Sequence, residues 1–292
     1  MQSFSFESLG THWSIDIDEA TLRDGTRAEV LSFLQDFERR FSRFRLESEV
    51  NAWRQATAGK YTISPDLRIL LARAEKLREL TEGRYDPAVA GLLERAGYGV
   101  KLSNNSSEVP EQFILPKWRL EGESIVIDGP LVFDLGGMGK GYAIDAVARI
   151  LREKGYCYFL VEGGGEMYGT TKRDGKPWQV AIEYPGQPDT ALGSVDLDHS
   201  GLAVSDRFRR RFGRWHHVVD PLTKQAVDLI DGCAALAPSA WDADSLTAGI
   251  FLGKRDTYPG LAQAFTGEYL VTLPGGYLER SLHWPGTLFV EA

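Results

Sequence analysis

One stretch constrains this chain more than any other: Phe133-Asp134-Leu135-Gly136-Gly137-Met138-Gly139-Lys140-Gly141-Tyr142-Ala143-Ile144-Asp145. An apolar run enters a glycine-rich turn, a lysine stands at its mouth, and helical periodicity follows from about Lys140 to Glu153, stopped by Gly155. Bare backbone N–H groups, the positive end of a helix and an ammonium converge there, which suits a phosphate. Gly141 follows the lysine where a phosphate-binding loop needs Ser or Thr, and no dinucleotide fingerprint is present. A tight turn with a solvated lysine explains the same letters equally well.

The flanking segments set the fold class. Phe4 to Ile17 alternates as strand, turn and strand, broken at Leu9-Gly10-Thr11. Ala28 to Phe44 places Val30, Leu34, Phe37 and Phe41 on one helical face, and Ser64-Pro65-Asp66 opens a second amphipathic helix that ends near Gly83. Tyr85 to Tyr98 reads as a loop entering a short helix, and Leu102 to Pro116 as a loop-like insertion. Ser124 to Ile127 and Leu131 to Phe133 are expected to pair through Asp128-Gly129, and Asp174-Gly175 marks another hairpin. Tyr156 to Val161 reads as a strand leading into Gly163-Gly164-Gly165-Glu166; Ser245 to Leu252 reads as a short buried helix, and Tyr269 to Leu273 and Leu288 to Val290 as strands. Strand clusters separated by single helices give an α+β fold with mixed or antiparallel sheets. No fixed-period repeat or low-complexity linker divides the chain, so residues 1–292 are expected to form one compact unit, with room for two pseudo-lobes.

Three further constellations hold chemistry-bearing residues. In Trp215-His216-His217-Val218-Val219-Asp220-Pro221, adjacent histidines on a strand would face opposite sides, so only one enters a given pocket. Trp241-Asp242-Ala243-Asp244-Ser245-Leu246-Thr247 offers hard oxygen ligands of the kind magnesium prefers, although a helix cap accounts for the same aspartates. The glycine run at 163–165 permits close approach of a flat ligand or of another strand.

Composition narrows the classes. The formal charge of −8 opposes phosphate-backbone binding, so the basic run Arg207-Phe208-Arg209-Arg210-Arg211-Phe212 is read as a strand with a solvated face and nucleic acid is set aside. No stretch reaches about 18 uncharged apolar residues, so no membrane span is expected. Cys157 and Cys233 cannot make a disulfide framework and are read as free thiols. The first residues lack a basic segment followed by an apolar run, which gives the expectation of a cytoplasmic protein or of one whose targeting segment was removed.

Taken in order, these motifs resemble those of the ApbE family, the FAD:protein FMN transferases. The resemblance runs from about Phe4 to Gly253. It rests on Leu9-Gly10-Thr11, Phe41-Ser42-Arg43-Phe44 with Ser48-Glu49, Tyr85-Asp86-Pro87-Ala88-Val89, the Asp134 to Asp145 run, Gly164-Gly165-Glu166, Gly175-Lys176-Pro177-Trp178 and His216 to Pro221. It implies an ApbE-like unit that binds FAD and magnesium. FMN would pass from FAD to a Ser or Thr hydroxyl of an acceptor flavoprotein, such as a flavin-carrying electron-transport subunit, with release of AMP. The alternatives are an FAD diphosphatase and a non-catalytic FAD-binding protein.

Carried over by motif position, Leu9, Phe44, Tyr85, Asp86, Ala88, Asp134, Lys140 and His217 would contact FAD, with Asp134 and His217 at the chemistry. Gly137, through its carbonyl, Asp244 and Thr247 would hold the metal. The chain departs from the family pattern where Asp244 precedes Thr247 by three positions instead of four. It also has Arg54 for a common Asn, Val204-Ser205-Asp206 for Thr-Ser-Gly, Glu166 for Asp and Lys224 for a turn glycine.

Overall fold

The structure is a computed structural model and describes residues 1–19, 21–98, 113–209, 211 and 215–289. Its centre is an eight-stranded sheet in which spatial order follows chain order. The strands are Gln2–Ser8, Thr11–Ile17, Phe159–Gly163, Glu166–Gly169, Ser200–Asp206, Gly232–Ala237, Glu268–Thr272 and Leu278–Arg280. Every neighbouring pair is antiparallel, so the α+β expectation holds in its antiparallel form.

Both faces of this sheet are covered, and the two-residue period of its strands sorts side chains between two cores. Tyr168, Cys233, Ala235 and Val271 join the larger one. Met167, Leu202, Ala234 and Leu270 join the smaller one. The helices are α1 (Asp24–Phe41), α2 (Pro65–Leu80), α3 (Ala90–Arg95), α4 (Gly139–Glu153), α5 (Ala240–Leu252) and α6 (Tyr258–Ala264). All but α3 send buried residues to the larger core; each large aliphatic side chain buried there contributes about 1.5–3 kcal/mol. The smaller core is closed by a second sheet of Trp178–Tyr184, Gln187–Leu197 and Thr287–Leu288.

Helix α2 begins as its sequence dictates: Ser64 accepts from the Leu67 N–H, and Pro65 occupies the first turn. Two of the expected pairings differ. Ser124–Ile127 pairs with Trp118–Glu121 and Gly59–Thr62, not with residues 131–133. Pro130 lacks an N–H to continue a hairpin ladder, and the Leu131 and Phe133 N–H groups instead donate to Trp53 and Val50 carbonyls. The Asp174-Gly175 turn forms, with the Gly175 N–H on the Lys172 carbonyl, but it links strands of two different sheets.

The described part of the basic run is also a turn, with the Phe208 and Arg209 N–H groups on the Asp206 carboxylate. Arg207 pairs with Asp231, and Arg209 with Glu183, which neutralises the expected basic face. Most of the Leu102 to Pro116 insertion, and Val290, lie outside the described residues. No described helix is long and apolar enough to cross a membrane.

The glycine run at 163–165 lets two turns stack. A Cβ on Gly164 would lie 2.7 Å from Thr11 Oγ1, and one on Gly163 2.7 Å from the Trp13 ring. That contact seats the two-residue Leu9-Gly10 turn, whose φ angles of 51° and 70° are left-handed. Leucine pays a steric penalty of about 1–2 kcal/mol in that region, and such strain clusters at functional sites.

Candidate functional site

A cavity of about 500 Å³ opens beside the start of α4, within the range of small-molecule sites. Its wall includes Leu9, Phe44, Tyr85, Asp86, Asp134, Gly137, Lys140, His217, Asp244 and Thr247. Ten of the eleven residues singled out in the sequence therefore meet at one place. Ala88 does not reach the wall; it is buried, and its N–H donates to Asp86 Oδ1.

The glycine turn is held from both ends. Asp134 Oδ1 accepts from the Gly136 N–H at 2.8 Å, and Oδ2 accepts from Arg43 Nε at 2.7 Å. Arg43 is 3% exposed, also donates to the Tyr98 carbonyl, and stacks on the Phe44 and Tyr98 rings. The sequence motif contained Arg43 without revealing this role; its one signal was a charge set between Phe41 and Phe44. At the far end of the motif, Asp145 accepts from the Ala240 and Trp241 N–H groups and so caps α5. Burial raises the Asp145 pKa, while those backbone donors oppose the rise.

Helix α5 starts at Ala240, a turn and more before the expected Ser245, because Ser239 provides the cap. Asp242 and Asp244 therefore lie within the helix. Asp242 faces away from the cavity, bound to Arg73 at 2.7 Å and to Ser239. Asp244 faces the cavity, and its Oδ2 accepts from the Gly141 N–H at 2.9 Å. A Cβ on Gly141 would lie 2.4 Å from the Ala240 carbonyl, so glycine is required for α4 and α5 to meet here. Thr247, one helical turn beyond Asp244, donates to the Asp244 carbonyl at 2.9 Å and lines the same wall. Spacings of three and four both place residues on one helix face, so the altered Asp/Thr spacing keeps both residues on the cavity wall.

These oxygens suit a hard cation. Among the described residues no cluster of three His, Cys, Asp or Glu side chains forms a metal cage. An ion here would take the Asp244 carboxylate, the Thr247 hydroxyl and the Gly137 carbonyl, and draw its other oxygens from water or phosphate, as magnesium does. The neighbouring field agrees. Burial first, and then Asp134, Asp244 and Asp86, raises the Tyr85 phenol well above its ordinary pKa, which marks a carboxylate-rich wall.

Lys140 lines the same cavity and pairs with Glu166 at 2.5 Å. Asp86 is tied inward, accepting from the Ala88 N–H and Trp118 Nε1. Apolar side chains line the cavity among these polar groups: Leu9, Phe37, Phe41, Phe44, Tyr98 and Leu252 contribute, with Phe44 52% exposed.

The two histidines part as expected, although the described strand begins only at Val219. His216 is buried; its Nδ1 accepts from the Val218 N–H, so its Nε2 donates to the Val227 carbonyl at 2.6 Å. Burial lowers its pKa. His217 faces the cavity. Behind it, Arg84 pairs with Asp220, and the turn closes through Lys224 at φ 57°, a position that favours glycine. Arg54 stands away from the cavity, held by Glu94 and Asn51.

The fold and cavity define the class: an antiparallel α+β protein whose cleft joins a glycine turn and acidic oxygens to an aromatic wall. The chain belongs to the ApbE family, whose pattern it matches over residues 9–271. It is 29% identical over 280 residues to the FAD:protein FMN transferase of Haemophilus influenzae, spanning 87% of this chain and 81% of the relative. The enzyme of the same name from Vibrio cholerae is 26% identical, over 88% of this chain and 83% of that protein. The solved flavin transferase ApbE from Vibrio cholerae superimposes with a TM-score of 0.82 at 24% identity, over 96% of each chain.

Proposed function

We propose that this chain is a magnesium-dependent FAD:protein FMN transferase, moving FMN from FAD to a Ser or Thr hydroxyl of an acceptor flavoprotein and releasing AMP. One observation carries the reading: residues scattered from Leu9 to Thr247 gather around a single cavity lined by both charged and aromatic side chains. FAD needs both kinds of lining, because its pyrophosphate lies between two flat ring systems.

The residues divide the work. The Gly136-Gly137 turn, fixed by Asp134, offers its backbone to the phosphates, and Lys140 supplies positive charge. Magnesium, held by Asp244, Thr247 and the Gly137 carbonyl, would offset pyrophosphate charge and polarise the reacting phosphoryl. Phe44 and Tyr98, in edge-to-face contact, and Leu9 are cavity-lining groups on which a flat ring would pack. The acceptor oxygen attacks phosphorus, the P–O–P bond breaks, and AMP leaves. His217 lines the cavity and would take the acceptor proton.

Purified protein incubated with FAD, with and without magnesium, tests this when FAD, FMN and AMP are separated by chromatography. Magnesium-dependent AMP release that requires an acceptor is the expected result. Free FMN without acceptor assigns a diphosphatase instead, and intact FAD with acceptor and magnesium present contradicts the transferase reading.

A further inference from the structure

In this structure Lys140 meets the cavity as half of an ion pair. Its Nζ lies 2.5 Å from Glu166 Oε1, with the lysine side chain 12% exposed and the glutamate 3%. Glu166 follows the glycine turn directly and pairs with Ala203 in the central sheet, so its backbone is fixed. Both residues line the cavity. Separating so buried a pair is costly, because each charge would lose its counter-charge without gaining water. What an incoming phosphate meets here is therefore an ammonium already shared with a carboxylate.

We infer that Glu166 is a specificity-determining residue, admitting a pyrophosphate esterified at both ends and disfavouring nucleotides that end in a free phosphate. The inference rests on reading the cavity as an FAD site. A doubly esterified pyrophosphate carries one charge per phosphorus and cannot ionise further. A terminal phosphate loses a second proton near pH 6 and brings an extra charge at neutral pH. With Lys140 shared, that extra charge faces the Glu166 carboxylate at short range, where like charges repel strongly. The same repulsion acts on the leaving nucleotide. When the acceptor oxygen binds phosphorus and the P–O–P bond breaks, a diester becomes an acceptor phosphodiester plus a monophosphate, and the monophosphate ionises further. Glu166 thus favours departure of the product as well as entry of the correct substrate.

The experiment compares ADP with its β-methyl ester, two ligands that differ in the terminal ionisation. Each displaces FAD, followed by flavin fluorescence, in buffer with excess chelator and again with magnesium. The native protein is expected to bind the methyl ester at least about tenfold more tightly than ADP. Glu166→Gln should bring the two to within about threefold, and Glu166→Asp, which keeps the charge, should preserve the gap. Equal affinities in the native protein overturn the inference, as does a gap that Glu166→Gln leaves intact. The native comparison decides by itself if the glutamine variant does not fold. Failure of the native chain to bind FAD in either buffer sinks the FAD reading instead.

Discussion

The polar and the aromatic lining of the cavity are built differently. In the polar lining (the charged side) backbone and carboxylates lock together: Gly141 donates to Asp244, Gly136 donates to Asp134, and Lys140 pairs with Glu166. Each of these groups is also a structural tie between elements. In the aromatic and apolar lining (the ring side) Phe44 is half exposed and Leu9 sits in a strained turn. The contrast matches what each side must do. Phosphate and metal chemistry requires groups fixed within a fraction of an ångström, whereas stacking on a flat ring tolerates adjustment. Substitutions on the charged side should therefore damage folding and activity together unless they preserve the local hydrogen bond, and ring-side substitutions should touch binding alone.

Asp244→Asn sharpens the contrast most. The amide oxygen can still accept from Gly141, so the melting temperature should stay near native. AMP release should fall by about a hundredfold or more, as expected for removal of a charged group that stabilises transferring phosphate. A simple steady-state assay beside a thermal melt checks both. Lys140→Ala comes next. It leaves Glu166 buried without its lysine, predicting a loss of about 3 kcal/mol in stability and weaker FAD binding. Adding Glu166→Gln should restore most of the stability measured by urea unfolding without restoring the affinity lost with the lysine.

Phe44→Ala tests the ring side. It should weaken FAD binding by about threefold to tenfold, the scale of one aromatic contact, with an unchanged urea midpoint. A destabilised Phe44 variant would break the comparison. The smallest effect lies outside both sides, at His216. Burial lowers its pKa, so the unfolded chain takes up a proton at higher pH than the folded one. The stability it contributes is full above about pH 6.5 and declines as pH falls below that value. Unfolding measured between pH 7.5 and 5 should show this slope, and His216→Gln should remove it.

The distinction between the sides also explains how much could be read from the sequence. Local signals placed Ser64-Pro65 at a helix start, Leu9-Gly10 in a turn and Lys140 at the opening of α4, because capping and left-handed backbone are encoded by adjacent residues. The α+β class followed from the alternation of strands and helices, which left mixed and antiparallel sheets both open. Nothing local showed that Arg43 reaches Asp134, 91 residues away, or that Asp145 caps a helix 95 residues downstream. Motif position singles out Asp244; the physical reason that it and not Asp242 faces the cavity is the early start of α5 at Ser239, which turns one carboxylate to the cavity and the other to Arg73. Pro130 likewise undid a hairpin that Asp128-Gly129 suggested, by sending residues 131 and 133 to Val50 and Trp53. Family motifs gathered the site where local physics was silent, since their order records contacts that distance in sequence conceals.

The most direct test of the central claim is the intact mass of an acceptor flavoprotein after incubation with this protein, FAD and magnesium. The account predicts a mass increase of one FMN less one water, lost with chelator and with Asp244→Asn. An acceptor that remains unmodified while FAD and magnesium are saturating would contradict it.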